Sequence, residues 1–274
     1  MNRTLLALAL VASVATSGWA ATVDLANTSI NSGTINGATF EFYKFNPSGT
    51  GVFDPFVRIQ ENGTEQGYNT TQANAGALPF QEKFGIWTHD LKFSSLQAAS
   101  GKYQFVLDIG EPVSTNTNKG QESLLSLDGL KIYKTSTPGQ NSSSVDGSGN
   151  ANGIVGTVLY DMDAGGDSFV RLDANRGGNP GNGWSDMLLS IPDSVFASVG
   201  VNDYIILWSR FGLQDGSDNG TQSFGTFEEW GTTYITNGNG GGGGGGAVPE
   251  PSTVLLLGAG LVGLGLYGRK KIKK

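Results

Sequence analysis

The stretch Asp161-Met-Asp163-Ala-Gly-Gly-Asp167-Ser168, with Asp173 close behind, sets carboxylates two and four positions apart on a glycine-containing segment. Calcium takes six to eight oxygen ligands and accepts irregular geometry, so Asp161, Asp163 and Asp167 are candidate calcium ligands. The bidentate glutamate that ends an EF-hand loop is missing, because Leu172 stands at that position. Asp and Gly also build ordinary solvated turns between strands, the plainer reading of the same residues. Asp215-Gly-Ser-Asp218 is a shorter set of the same kind.

Acid–base chemistry near neutral pH would have to use His89, the single histidine, within Trp87-Thr-His-Asp90. No Gly-x-Ser-x-Gly nucleophile elbow accompanies it. A two-carboxylate hydrolase could draw on Glu228-Glu229 beside Trp230. Adjacent strand residues point to opposite faces, however, so that pair does not share one cleft. With no cysteine in the chain, thiolate metal sites, a Cys nucleophile and disulfides are excluded. No catalytic residue is therefore assigned, and the domain is expected not to be an enzyme. Sugar recognition by stacking on aromatic rings is the stronger expectation. Of Trp87, Trp184, Trp208 and Trp230, the run Tyr204-Ile-Ile-Leu-Trp208 marks Trp208 as core. Trp184, in Gly181-Asn-Gly-Trp-Ser-Asp186, and Trp230 are the carbohydrate-binding candidates.

The elements that would carry these residues are strands. Between Thr22 and Thr236 short β-rich runs alternate with Gly/Asn/Asp/Ser turns, and no long stretch shows a helical apolar period. Strands are predicted at 39–45, 53–60, 84–93, 102–109, 124–127, 130–135, 154–160, 168–172, 186–191, 204–211 and 226–235. Asp128-Gly129 reads as a hairpin turn between two of them. Residues 192–198 are predicted to form one short helix, and 137–153 a loop. About eleven strands without crossover helices imply an all-β fold, an antiparallel, jelly-roll-like β-sandwich spanning 21–236 as one domain.

The 274 residues carry a net charge of −7. Arg3 and the five cations after Gly268 lie at the ends. Without them and Glu250, 11 cations face 23 acids, a net of −12 for the domain. Such a field repels nucleic acid and is compatible with divalent cations or neutral glycans. Isolated Thr pairs at 70–71 and 232–233 do not make the regular array that ice binding requires.

Both ends read as addresses. Arg3, the apolar run Leu5 to Ala15 and the small residues Gly18 and Ala20 follow the plan of a secretory signal peptide over 1–20, cut before Ala21 by signal peptidase. At the other end a Gly-rich linker (237–247) leads to Val248-Pro249-Glu250-Pro251-Ser252. An apolar run at 253–267 and the basic tail 268–274 follow, giving one short transmembrane helix with its C-terminus held on the cytoplasmic side. Fifteen residues span only about 22 Å of a roughly 30 Å hydrocarbon core.

This ending resembles the PEP-CTERM sorting signal of Gram-negative bacteria that make exopolysaccharide, a tail also labelled by an ice-binding protein C-terminus. Stretches at 49–60, 63–70, 124–133 and 227–230 resemble a recurrent class of exported proteins with the same tail, a class that brings no activity with it. The resemblance implies processing by an exosortase, transient anchoring in the inner membrane, and delivery to the outer surface or the extracellular space. The expected function is a non-catalytic surface or biofilm-matrix protein that binds extracellular polysaccharide or its own copies. The alternative is a secreted hydrolase or lyase acting on polysaccharide.

Overall fold

The computed structural model describes residues 20–45, 55–72, 80–112 except 84, 122–177 except 143, 148 and 150, 185–213, and 221–232. The segment expected to be a signal peptide, apart from Ala20, lies outside them, as do the stretch expected to be a linker (237–247), residues 248–252 and the apolar run 253–267. Among the described residues no helix is long and apolar enough to cross a membrane.

The strands are β1 (Thr22–Asp24), β2 (Ser32–Ile35), β3 (Ala38–Phe45), β4 (Pro55–Ile59), β5 (Asn62–Gly63), β6 (Glu65–Tyr68), β7 (Leu91–Lys92), β8 (Lys102–Ile109) and β9 (Leu124–Thr135). They continue as β10 (Ser144–Val145), β11 (Ala151–Asn152), β12 (Thr157–Asp161), β13 (Phe169–Asp173), β14 (Ser185–Pro192), β15 (Tyr204–Phe211), β16 (Ser223–Phe224) and β17 (Glu228–Thr232). A seven-stranded sheet runs β1-β13-β9-β15-β6, with β12 beside β9 and β7 beside β15. A six-stranded sheet runs β2-β3-β14-β8-β17-β4, and β5–β16 and β10–β11 are two small ribbons. Every pairing is antiparallel except β1 with β13.

Alternation along each strand sends one set of side chains inward. Leu125, Leu127, Ile132 and Leu207 of the larger sheet meet Phe40, Phe105, Leu107, Leu189 and Trp230 of the smaller one in a single buried cluster. The fold is thus all-β, with two sheets packed face to face over that core. A second cluster of Tyr68, Phe80, Tyr133, Ile206 and Trp208 is also buried.

Three expectations change. Asp128-Gly129 is not a turn: β9 continues through it as one strand and pairs with β15 from Leu127 to Thr135, with a register shift that leaves Asp128 as a bulge. The local turn preference yields to packing, since the indole of Trp208 occupies the space over Gly129 that a Cβ would fill. The strand expected at 84–93 shrinks to β7. Gly85 adopts a φ of 130°, a turn conformation that breaks extension. The helix expected at 192–198 is a 3₁₀ turn, Asp193–Phe196, whose Phe196 ring stacks 6.0 Å from Phe93.

Candidate functional site

The Asp161–Asp167 segment joins β12 to β13, and its carboxylates serve the turn itself. Asp161 Oδ2 pairs with Lys131 Nζ at 3.1 Å, while its Oδ1 accepts the Asp163 N–H at 2.9 Å. Asp163 Oδ1 accepts the Ser168 N–H at 3.0 Å, and Asp167 is exposed. Asn36 braces the same turn, its Nδ2 donating to the carbonyls of Asp161 and Met162 at 3.1 and 2.8 Å. Among the described residues no group of three or more His, Asp or Glu side chains could hold a metal ion, and this trio is no exception. The same spacing forms an Asx turn, with the Asp161 carboxylate accepting the N–H two residues on.

Trp230 is corrected from glycan contact to core. It is completely buried, and its indole N–H donates to Ser209 Oγ at 3.0 Å. An enclosed ring has no face for a sugar. Trp208 is equally buried, with its N–H on Gln66 Oε1 at 3.0 Å. Trp184 lies outside the described residues. Among the described residues the exposed tryptophan is Trp87, 41% accessible beside Ile86 at 78%. The Arg58 guanidinium lies 4.2 Å from the Trp87 ring centre and 4.6 Å from that of Phe227. Arg58 Nε also donates to the Glu229 carboxylate, which fixes the guanidinium against both rings.

His89 is half-buried, with Nδ1 3.1 Å from the Asp90 carbonyl oxygen. The Asp90 carboxylate is bound elsewhere, accepting the Gly139 N–H at 3.0 Å and the Thr71 hydroxyl at 2.7 Å. No Ser-His-Asp relay is assembled from these partners. A groove of about 320 Å³ lies between Lys134–Thr137, Val155–Thr157 and Asp203, and neither His89 nor a glutamate lines it.

Glu228 and Glu229 diverge as strand geometry requires. Glu229 faces Arg58 and Asp108 across β4 and β8 in the register of β17. Glu228 turns to the other face, where Glu65 and Glu111 surround it, each of the three no more than 1% exposed. Sequence reading missed Glu65 and Glu111, which lie far from Glu228 along the chain and share no motif with it.

The interior is rich in acid. Glu65, Glu82, Asp108, Glu111, Asp128, Asp186, Glu228 and Glu229 are buried, against Arg210 as the one buried cation among the described residues. Burial disfavours the charged form of each. It pushes Glu65 and Glu82 up to about 7 and Glu111 to about 8. Asp186 and Glu228 are pushed well above the usual carboxylate range, first by burial and then by neighbouring carboxylates. Backbone donors hold several of them: Tyr68 N–H on Glu82 Oε1 at 3.1 Å and Ile109 N–H on Asp186 Oδ2 at 2.9 Å.

Residues 247–271 match the PEP-CTERM protein-sorting motif. The chain therefore carries the signal of an exported protein addressed to exosortase at the membrane, with the surface as destination. No curated protein and no solved structure matches the chain.

Proposed function

We propose that the two-sheet domain is a non-catalytic component of the cell surface or extracellular matrix that binds polysaccharide, presented after exosortase processing. The sorting motif at 247–271 carries the location. The contact surface in this reading is centred on Trp87, whose exposed indole is backed by Arg58 and flanked by Ile86 and Phe227. A flat ring of this kind stacks on the apolar face of a sugar while a fixed guanidinium donates to its hydroxyls. The net charge of −12 on the domain favours neutral over anionic polymers. The acid pair at 228–229 supports a non-catalytic reading, because one carboxyl is sealed in the interior and the other is held by Arg58.

The test is retention of the purified full chain by immobilised neutral polysaccharides, with chromatography of the glycan afterwards. Binding with the glycan intact, weakened about tenfold or more in Trp87→Ala at unchanged melting temperature, is expected. Shortened oligosaccharides would instead establish a hydrolase or lyase, and undiminished binding by the variant would move the contact away from Trp87.

A further inference from the structure

We propose that Glu65, Glu111 and Glu228 form a proton-held latch that ties the two sheets together at one end of the sandwich and lets go when the cluster loses its protons. The three side chains come from separate parts of the fold. Glu65 is on β6 of the seven-stranded sheet, Glu228 on β17 of the six-stranded sheet, and Glu111 lies two residues beyond β8. The β5–β16 ribbon lies beside them: both Glu111 oxygens are 3.2 Å from the Phe224 N–H, and Ser223 Oγ donates to the Glu61 carbonyl at 2.8 Å. Glu65 Oε2 accepts the Glu61 N–H, and Glu228 Oε1 is reached by the Thr226 hydroxyl at 3.5 Å.

Glu65 Oε1 and Glu228 Oε2 are buried with no protein donor. Glu228 nevertheless lies within side-chain hydrogen-bond reach of both Glu65 and Glu111. Two ionised carboxylates have no hydrogen to share, so each such bond requires a proton on one partner. The charged groups acting on the cluster are its own members and Glu61, with the Ser223 hydroxyl as the neutral neighbour. With negative charge on every side and no compensating cation among these neighbours, protonation keeps the cluster closed.

The direction with pH follows from linkage. Raised values in the folded state mean that the folded protein binds more protons than the unfolded chain. The stabilisation is complete below the ordinary glutamate value of 4.5 and is lost as the pH climbs through about 7 for Glu65 and about 8 for Glu111. Ionisation then sets like charges at hydrogen-bond distance, and the elements they join, the β5–β16 ribbon, β6 and the start of β17, separate and admit water.

Amide hydrogen exchange on the full chain in neutral detergent at about pH 6 and about pH 8.5, corrected for intrinsic rates, tests this. Segments 61–66 and 223–229 should lose at least about tenfold in protection at the higher pH while β9 and the middle of β15 keep theirs. Glu228→Gln, which keeps the shape without a charge, should retain protection there. Glu82→Gln, which removes a separate buried acid near Ile59, should leave the wild-type loss in place. Equal protection at both pH values, the same loss in Glu228→Gln, or disappearance of the loss in Glu82→Gln would overturn the latch. Infrared titration of the wild type is independent of any variant's folding: protonated-carboxyl absorbance should fade between the two pH values, and its absence at the lower one would overturn the proposal. Restoration of protection by calcium at the higher pH would also overturn it, since a cation and not a proton would then be the binding element.

Discussion

Gly129 sits in the middle of the longest strand, where local preference favoured a turn. A Cβ built there would lie 2.8 Å from Cη2 and 3.0 Å from Cζ3 of Trp208, and 3.6 Å from Arg210 Cβ. Ordinary contact begins at 3.4 Å, so Gly129→Ala must gain about 0.6 Å from a rigid ring. That ring is fully buried and tied by its N–H to Gln66, whose own side-chain amide donates to the Gly149 carbonyl at 3.1 Å. Moving the indole would therefore strain two hydrogen bonds as well as the packing. Overpacking costs about 1–3 kcal/mol. The lower unfolded-state entropy of alanine returns about 0.4–1 kcal/mol. The net expectation is a loss of about 1–2 kcal/mol, read in urea denaturation, and a melting temperature lower by roughly 2–8 °C. Gly147, which has nothing within 4 Å of its built Cβ, is the comparison, and Gly147→Ala should change stability by no more than about 0.5 kcal/mol. Gly129→Asn separates packing from turn conformation: a turn would tolerate asparagine, whereas the Trp208 contact makes it worse than alanine. Stability of Gly129→Ala at or above wild type, or Gly129→Asn milder than Gly129→Ala, would refute the reasoning.

Two further outcomes follow from the β12–β13 turn. Asn36→Ala removes two side-chain hydrogen bonds to the Asp161 and Met162 carbonyls from a residue at φ 47°, and should cost about 1–3 kcal/mol in denaturant unfolding. Because Asp161 and Asp163 are already engaged by Lys131 and by backbone N–H groups, chelation with EDTA should leave the melting temperature of the full chain unchanged, and a fall would restore a cation to that turn.

Much of the architecture was readable one strand at a time. β8 and β15 fall on the residues expected, because both are apolar, β-branched and aromatic runs bounded by turn residues, and such runs have few other ways to bury themselves. The opposite facing of Glu228 and Glu229 was equally readable, since it depends only on the two-residue period of a strand. β6 escaped notice because Glu65-Gln-Gly-Tyr68 is mostly polar. Its burial is created by β15 on one side and by Glu82, whose Cγ would meet a Gly67 Cβ at 2.7 Å.

The sorting signal, the acidic charge and the all-β class belong to the sequence alone, because each rests on composition or on contiguous residues. Tertiary structure decided which tryptophan meets solvent, that β9 continues as one strand through Asp128-Gly129, and that three glutamates from distant segments share one enclosed site. Those outcomes depend on what packs against a residue from the facing sheet or the next strand. Only the assembled fold brings Glu65, Glu111 and Glu228 together, and their burial raises all three above the ordinary carboxylate range.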